Sequence, residues 1–203
     1  MSKLTLGYCL LSTILLGSLP MALIAGDGAA LAKDKCAECH NEDGNSSDEK
    51  VPNIAGFSAV AIVDTMNAYK EGDREGDKYT PEDGEETDMG KIAKDLSDSD
   101  IEALADYYAG QEFKAHEQTV DAKLAKKGAK LHDKKCEKCH SDGGSNADDD
   151  AAILAGQWMA YTKKEFSKFS SGERSMPKKM KKKFKKLSDD DKAALIQYYA
   201  GQN

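Results

Sequence analysis

CAECH at residues 36–40 and CEKCH at residues 136–140 are nearly the same pentapeptide, and they begin 100 residues apart in a chain of 203 residues. Each holds two cysteines separated by two residues, with a histidine directly after the second cysteine. One copy could arise by chance. Two copies in matching surroundings require a common chemical reason, so the repeat that contains them decides the fold.

Three further pairs of segments match between the two copies. The offset is 100 residues near the pentapeptides and falls to 91 toward the end of each copy. The first copy therefore has nine extra residues between Arg74 and Met89, and we expect the acidic stretch there to form a surface loop because it contains Gly and Pro. The pairs are NIAGF (53–57) with ILAGQ (153–157), YKEGDR (69–74) with FSSGER (169–174), and DYYAGQ (106–111) with QYYAGQ (197–202).

The chain is predicted to consist of a leader and two similar units. Lys3 precedes an apolar run that extends to Ala25 and ends in small residues, which is typical of a secretory signal peptide. An uncleaved membrane anchor is the alternative, because the run is long enough to span a bilayer. The predicted division is a signal peptide at 1–26, a first unit at 27–112 and a second unit at 113–203, with a link around residues 112–125.

Both units are predicted to be all-α. Neither contains a run of alternating β-branched residues, and a serine stands three residues before an acid at Ser97 with Asp100 and at Ser188 with Asp191. This is a variant of the capping box that opens a helix. Apolar residues then follow at helical spacing in the first unit, at Ile101, Leu104, Ala105 and Tyr108.

A glycine precedes each cysteine pair by eight residues, at Gly28 and Gly128. A glycine on the helix that leads to the cysteines would let a second helix cross it closely. The helices that contain Tyr107-Tyr108 and Tyr198-Tyr199 are the expected partners in these crossings.

Covalent haem of the c type explains the cysteine pairs better than the other uses of closely spaced cysteines. Structural zinc needs a second pair of ligands, and the two remaining histidines, at 116 and 132, do not form one. A thioredoxin-like pair needs a βαβ context that is absent, and a disulfide framework needs no adjacent histidine. The pattern predicts two covalent haem c groups, attached at Cys36, Cys39, Cys136 and Cys139, with His40 and His140 as proximal iron ligands.

The sixth iron ligand of each unit is predicted from the repeat. Met89 and Met180 alone among the seven methionines occupy equivalent positions, each seven residues before a Leu-Ser pair. Met176 is the alternative to Met180, but its counterpart Glu85 cannot bind iron in the same way. His/Met ligation fills both axial positions and raises the potential relative to bis-His ligation. It therefore predicts electron transfer without substrate binding at the metal.

Three expectations concern the surroundings of the two irons. The proximal histidine usually donates its second ring N–H to a backbone carbonyl, and the segment around Pro52 is the expected source in the first unit. Ala152 replaces that proline in the second unit, so the geometry of the bond there is left open. Trp158 is expected to pack near the second haem, and His132 is expected at the surface.

The two units carry opposite charge. Residues 27–110 contain 8 Lys and Arg against 22 Asp and Glu, whereas residues 116–203 contain 19 against 13. Neither half has the basic and aromatic interleaving that is typical of nucleic-acid binding. Because KKMKKKFKK at 178–186 surrounds Met180, we expect a positive rim near the second haem that docks an acidic redox partner, while the acidic first unit meets a basic surface. The alternative is a charged face that only keeps the protein soluble.

The repeated units resemble the dihaem cytochrome c4 family over essentially the whole exported chain. The second half is closer still to the cytochrome subunit of flavocytochrome c sulfide dehydrogenase. The acidic loop at 75–87 departs from what is expected of that subunit, and it lies on the surface of the first unit where a partner would dock. The segments that carry the resemblance are GKIAKDLSDSDIEALADYYAGQ (90–111), GAKLHDKKCEKCH (128–140), ILAGQW (153–158), ERSMPKKM (173–180) and MGKIAK (89–94).

The resemblance implies two tandem cytochrome c-like domains in the periplasm and the same set of haem residues that the repeat predicts. It also implies a flavoprotein partner that oxidises sulfide, with a small redox acceptor such as a soluble cytochrome. The leading hypothesis is therefore the haem subunit of a sulfide-oxidising flavocytochrome. The alternatives are a free-standing carrier that donates to a terminal oxidase, a dihaem peroxidase-type enzyme with one open iron, and a redox sensor, for which no signalling domain is present.

Overall fold

The computed structural model describes residues 27–81 and 84–202, so the predicted leader at 1–26 lies outside the described residues. Within the described ranges the chain forms helices and no strand, with one isolated antiparallel bridge between Tyr79 and Thr87. None of the helices in these ranges is long and apolar enough to cross a membrane. The predicted all-α class is confirmed.

The helices follow the order of the repeat. In the first unit they are α1 (Gly28–Leu31), a π-helical turn (Ala32–Cys36), α2 (Ala37–His40), α3 (Ala59–Glu71), α4 (Met89–Lys94) and α5 (Asp98–Ala109). In the second unit they are α6 (Ala122–Lys135), 3-10 turns at Asp142–Gly144 and Ala147–Asp149, α7 (Met159–Ser171), α8 (Lys178–Phe184) and α9 (Asp189–Ala200).

The last helix of each unit begins with the predicted capping box. The Ser97 hydroxyl accepts from the backbone N–H of Asp100, and the Asp100 carboxylate accepts from the N–H of Ser97. Ser188 and Asp191 form the same reciprocal pair at the start of α9. Each pair satisfies backbone donors that a helix start leaves free, which is why both helices begin at equivalent residues.

The two predicted helix crossings are present. A Cβ atom at Gly28 would overlap the carbonyl oxygen of Ala103, and one at Gly128 would overlap that of Ala194. The first helix of each unit therefore lies directly against the last, α1 against α5 and α6 against α9. This contact holds the segment that carries the cysteines against the core.

Each unit has its own hydrophobic core. Tyr108 occupies the first core and Tyr199 the second, and each is only 1% exposed. Cys36 packs against the first core and Cys136 against the second. The first cysteine of each pair is thus fixed by apolar packing.

The link between the units is shorter than predicted, because α6 begins at Ala122 rather than after residue 125. Residues of the link bind both units. The backbone N–H of His116 donates to the carbonyl of Gly156, and the carbonyl of Glu112 accepts from the side-chain amide of Asn45. The link therefore forms part of the interface between the units.

Two equivalent arginines converge on one carboxylate between the units. Arg74 from the first unit and Arg174 from the second both donate to Oε2 of Glu165, whose side chain is 7% exposed. Lys164 and Lys168 of α7 bind Asp77 of the inserted loop at 3.0 and 2.6 Å. The predicted surface loop is confirmed, and it also connects the two units.

Candidate haem-binding sites

The first cysteine–histidine pair lies on a short, distorted helix. The π-helical turn ends at Cys36 and α2 ends at His40, where Asn41 adopts a positive φ of 59° and turns the chain away. Cys36 and Cys39 are both free thiols, as are Cys136 and Cys139. Free thiols at these positions are what covalent attachment of a porphyrin requires.

His40 is held in the orientation that a proximal ligand needs. The side chain is buried, with 6% of its surface exposed, and its Nδ1–H donates to the carbonyl oxygen of Pro52 at 2.9 Å. Burial lowers the pKa of His40, which favours the neutral ring. With Nδ1 engaged, Nε2 carries the lone pair that can bind a metal. The predicted contact with the segment around Pro52 is confirmed.

His140 is less constrained than His40. It is partly exposed, and its buried Nδ1 has no hydrogen-bond partner among the described residues. Burial again lowers the pKa of the imidazole, and the carbonyl of Ala152 is near enough to oppose this slightly. The replacement of Pro52 by Ala152 thus leaves the second histidine without the bond that orients the first.

The methionines predicted as distal ligands lie on equivalent short helices. Met89 is the first residue of α4, where Asp88 caps the helix by accepting from Lys91 N–H at 3.0 Å, and it packs against the first core. Met180 lies on α8 and is partly buried. Met176 packs against the second core. The choice between Met180 and Met176 stays a prediction.

The donor set fits haem c in both units. Each unit offers two free thiols, the first of which packs against the core, an imidazole whose burial favours the neutral form, and a thioether on a short helix. In cytochromes c a histidine imidazole and a methionine thioether bind the iron, whereas the two thiols attach the porphyrin. No disulfide competes for the four cysteines.

The two cysteine pairs lie in opposite electrostatic surroundings. Burial raises the pKa of the Cys39 thiol, and the nearby carboxylates of Glu38 and Asp48 raise it further. Burial also raises the pKa of Cys136, but there Tyr199 and then Lys135 and Lys183 act in the opposite direction. The first pair therefore has an acidic edge and the second a basic one.

The inserted loop lies beside Cys39 of the first cysteine pair. The hydroxyl of Tyr79 donates to Asp48 Oδ2 at 2.7 Å, and this bond raises the pKa of Tyr79 to about 12. Tyr79 and Thr80 line the same groove as Cys39 and Glu38. Cys39 is partly buried as a result, whereas Cys139 is exposed and has no such loop beside it.

Of two sequence expectations about the second unit, the one for Trp158 stays a prediction, and the one for His132 is wrong. Trp158 lies between the units, since its ring stacks on His116 at 3.6 Å between centroids and its Nε1–H donates to the carbonyl of Ser46. His132, expected at the surface, is completely buried and contacts Tyr199 and Glu137. The repeat does hold a signal for the second case, because Ala32 and Ala37 are replaced together by His132 and Glu137.

Comparison with known proteins supports the division into two haem-binding units. The family model described as "Cytochrome c" matches residues 25–110. The model described as "Cytochrome C oxidase, cbb3-type, subunit III" matches residues 123–198. The two matches fall on the two copies of the repeat.

Relatives and solved structures extend the match to nearly the whole chain. Cytochrome c4 of Stutzerimonas stutzeri is 33% identical, over 92% of this chain and 94% of the relative. The crystal structure of reduced recombinant cytochrome c4 from Pseudomonas stutzeri has a TM-score of 0.70 and 30% identity, and covers 88% of this chain and 100% of that one. The cytochrome subunit of sulfide dehydrogenase from Chlorobaculum tepidum is 33% identical, over 40% of this chain and 64% of the relative.

Proposed function

The chain belongs to the dihaem cytochrome c4 family and is an electron carrier with two covalently bound haem c groups, and on this premise we propose that it works outside the cytoplasm and docks an acidic redox partner through its second unit. In this proposal residues 1–26 direct export and are removed. Residues 27–112 and 113–203 then hold one haem each.

Each residue of the two sites has a defined part in this proposal. Cys36 and Cys39 tether the first haem, and Cys136 and Cys139 tether the second. His40, oriented by Pro52, and His140 would bind the irons through their imidazoles, and Met89 and Met180 would supply the thioether ligands. The bound groups supply a one-electron Fe(III)/Fe(II) couple. The chain holds the ligands in place and keeps the faces of the iron closed, which favours outer-sphere transfer over chemistry at the metal.

The observation that carries the docking proposal is the basic surface beside Cys136. Lys183 lies near that thiol on α8. The other lysines of this helix and its end are exposed, and within residues 27–81 and 84–202 none of them forms an ion pair. Unpaired surface charge of one sign steers an oppositely charged partner toward the nearest redox centre. These lysines are Lys178, Lys179, Lys181, Lys182, Lys183, Lys185 and Lys186.

The rate of oxidation by an anionic probe tests this surface. We expect ferricyanide to oxidise the second haem more slowly as ionic strength rises, because salt screens the attraction of this anion to the lysines of α8. Replacing Lys181, Lys182 and Lys183 together by Gln should lower the rate at low salt and flatten the salt dependence. The matched control replaces Lys123, Lys126 and Lys130 of α6, which removes the same charge from the same unit. A salt dependence that is flat in the wild type contradicts the docking role.

A second candidate function is the haem subunit of a sulfide-oxidising flavocytochrome. The partial similarity to a sulfide dehydrogenase cytochrome subunit supports it, although the free-standing carrier accounts for the full-length similarity at least as well. The two functions differ in their partner. Purification of the native protein followed by a flavin absorbance scan separates them, since a subunit copurifies with a flavoprotein and a free carrier does not.

The mature protein tests the proposed location. Mass spectrometry of the protein purified from the periplasmic fraction should give a chain that lacks the leader and carries the mass of two haem groups. A chain that retains residues 1–26 and stays with the membrane fraction would instead identify the leader as an anchor.

A further inference from the structure

A chain of buried hydrogen bonds runs through the second unit. The ring of His132 is completely buried, with Nε2–H donating to Glu137 Oε2 at 2.6 Å and Nδ1 lying 3.0 Å from the hydroxyl of Tyr199. Tyr199 and Tyr198 both pack against the imidazole, with ring centroids 5.5 and 5.4 Å away. Both nitrogens of this ring are thus occupied.

The outer end of this chain is a fixed negative charge. The Glu137 side chain is 40% exposed, and its oxygens also accept from the backbone N–H groups of Asp142 at 3.1 Å and Gly143 at 3.4 Å. Hydrogen bonding by His132 is the first cause that lowers the pKa of Glu137. The carboxylate is therefore ionised at neutral pH and held against the ring.

The inner end of the chain reaches the predicted haem attachment. Tyr199 belongs to the second core, and Cys136 packs against that core. The backbone gives a second connection, because the carbonyl of His132 accepts from the N–H of Cys136 at 2.8 Å and from that of Glu137 at 3.0 Å. The series of hydrogen bonds from Glu137 through His132 to Tyr199 therefore ends beside Cys136, a predicted haem attachment residue.

The first unit shares one backbone hydrogen bond with the second at this turn but lacks these side-chain hydrogen bonds. The N–H of Ala37 donates to the carbonyl of Ala32, as the N–H of Glu137 does to that of His132. Ala32 is fully buried, and the hydroxyl of Tyr108, the counterpart of Tyr199, is buried without a partner in the described part of the chain. The difference between the units therefore lies in the side chains.

We propose that Glu137, acting through His132 and Tyr199, is a positioning residue that lowers the midpoint potential of the second haem. A fixed negative charge stabilises the oxidised iron, which carries one more positive charge than the reduced iron. Because His132 and Tyr199 are buried, water screens this effect less than it would that of a carboxylate that contacts only solvent. The negative charge of Glu137 would offset part of the positive charge of the lysines near the second site. The inference rests on the proposed attachment of the second haem at Cys136 and Cys139.

Glu137→Gln tests the proposal with little change of shape, since the amide oxygen can still accept from His132. We expect a potentiometric titration to show a higher midpoint potential for the second haem and an unchanged one for the first. Asp133→Asn is the matched control. It removes the same charge from an exposed residue next to His132 that forms no hydrogen bond with any other described side chain. Equal shifts in both variants, or no shift in Glu137→Gln, overturn the proposal.

The second haem is identified in these titrations by Lys183→Gln. Because Lys183 lies near Cys136, loss of its charge should lower the potential of that haem alone. The number of haem groups per molecule distinguishes failure of the proposed haem attachment from failure of the inference about Glu137. A chain with one haem refutes the proposed attachment, whereas two haems with unchanged potentials refute only the inference.

A double-mutant cycle tests the path through the imidazole. His132→Ala gives the second unit the residue that the first unit has at position 32. In that background Glu137→Gln should shift the potential no more than Asp133→Asn does, because the carboxylate is no longer held against a buried ring. An undiminished shift means that Glu137 acts directly, and His132 then has only a packing role.

Discussion

Asn53 and Gln157 bind each other reciprocally across the two units. The backbone N–H of Asn53 donates to Gln157 Oε1, and the side-chain amide of Gln157 donates to the carbonyl of Asn53, both at 3.0 Å. Asn53 is 0% and Gln157 2% exposed. By the repeat, these residues correspond to Ile153 and Phe57, so the pair is specific to the contact between the units. It fixes the position of one haem unit relative to the other.

Gln157→Ala should destabilise the folded protein by about 1–3 kcal/mol. The change leaves the backbone N–H and carbonyl of Asn53 buried without a partner, which costs their desolvation. Denaturant unfolding of the holoprotein, followed by far-ultraviolet circular dichroism, measures the loss. Gln111→Ala is the control, since that side chain donates only to Tyr107 one turn earlier and should change stability by less than about 0.5 kcal/mol. Equal losses of stability in the two variants would show that the reciprocal pair stabilises the protein no more than the single hydrogen bond of Gln111 does.

Glu165→Gln should be more harmful, with a loss of about 3–5 kcal/mol. The substitution removes the carboxylate shared by Arg74 and Arg174 and leaves the guanidinium of Arg74, 11% exposed, without its counter-ion. Thermal unfolding of the holoprotein measures this, and Glu173→Gln, an exposed carboxylate nearby, is the control. A small effect of Glu165→Gln means that other groups compensate the two arginines.

Met180→Ala should abolish the near-infrared sulfur–iron absorption of the second haem, whereas Met176→Ala should keep it. The reason is that Met180 is the counterpart of Met89 in the repeat. Met89→Ala should remove the band of the first haem in the same way. The reverse result at 176 and 180 would assign the second distal ligand to Met176. Rapid binding of carbon monoxide by one reduced haem of the wild type would contradict closed coordination altogether.

Tyr79 should titrate near pH 12 instead of near pH 10. Its hydroxyl donates to Asp48, which favours the protonated form, so the pKa in the folded state is raised to about 12. A raised pKa means that this bond contributes fully below pH 10 and is lost as the pH rises through about 12. Carbon-13 NMR of labelled tyrosine follows the ring directly. Asp48→Asn should return the titration toward pH 10, and an unchanged value would show that the loop is held by other contacts.

Local and repeated patterns allowed much of the fold to be predicted. Ser97 and Ser188 start their helices because a serine and an acid three residues apart satisfy backbone donors within one turn. The glycine crossings at 28 and 128 were also predictable, since both copies of the repeat keep a glycine eight residues before the first cysteine. The contact between His40 and Pro52 belongs to the same class, as only the loop that follows α2 separates the two residues.

The contacts between the units could not be predicted, because they join residues that neither sequence spacing nor the repeat relates. Trp158 stacks on His116 of the link, and Glu165 binds an arginine 91 residues away. Burial of His132 likewise depends on α9 supplying Tyr198 and Tyr199, which no property of the α6 sequence specifies. The joint replacement of Ala32 and Ala37 by His132 and Glu137 is the one signal in the repeat, and it does not by itself identify these packing partners.

The sequence alone therefore determined that the protein has two helical units with a cysteine–histidine pair in each, because these features depend on residues within one or two helical turns and occur twice. Only the tertiary structure decided how the two units differ. The acidic loop lines the groove that contains Cys39, and the second unit has hydrogen bonds from buried His132 to a carboxylate and a phenol that the first lacks. Such differences arise from which side chains meet when distant helices pack, and the free energy of that packing is shared over many weak contacts that no short segment specifies.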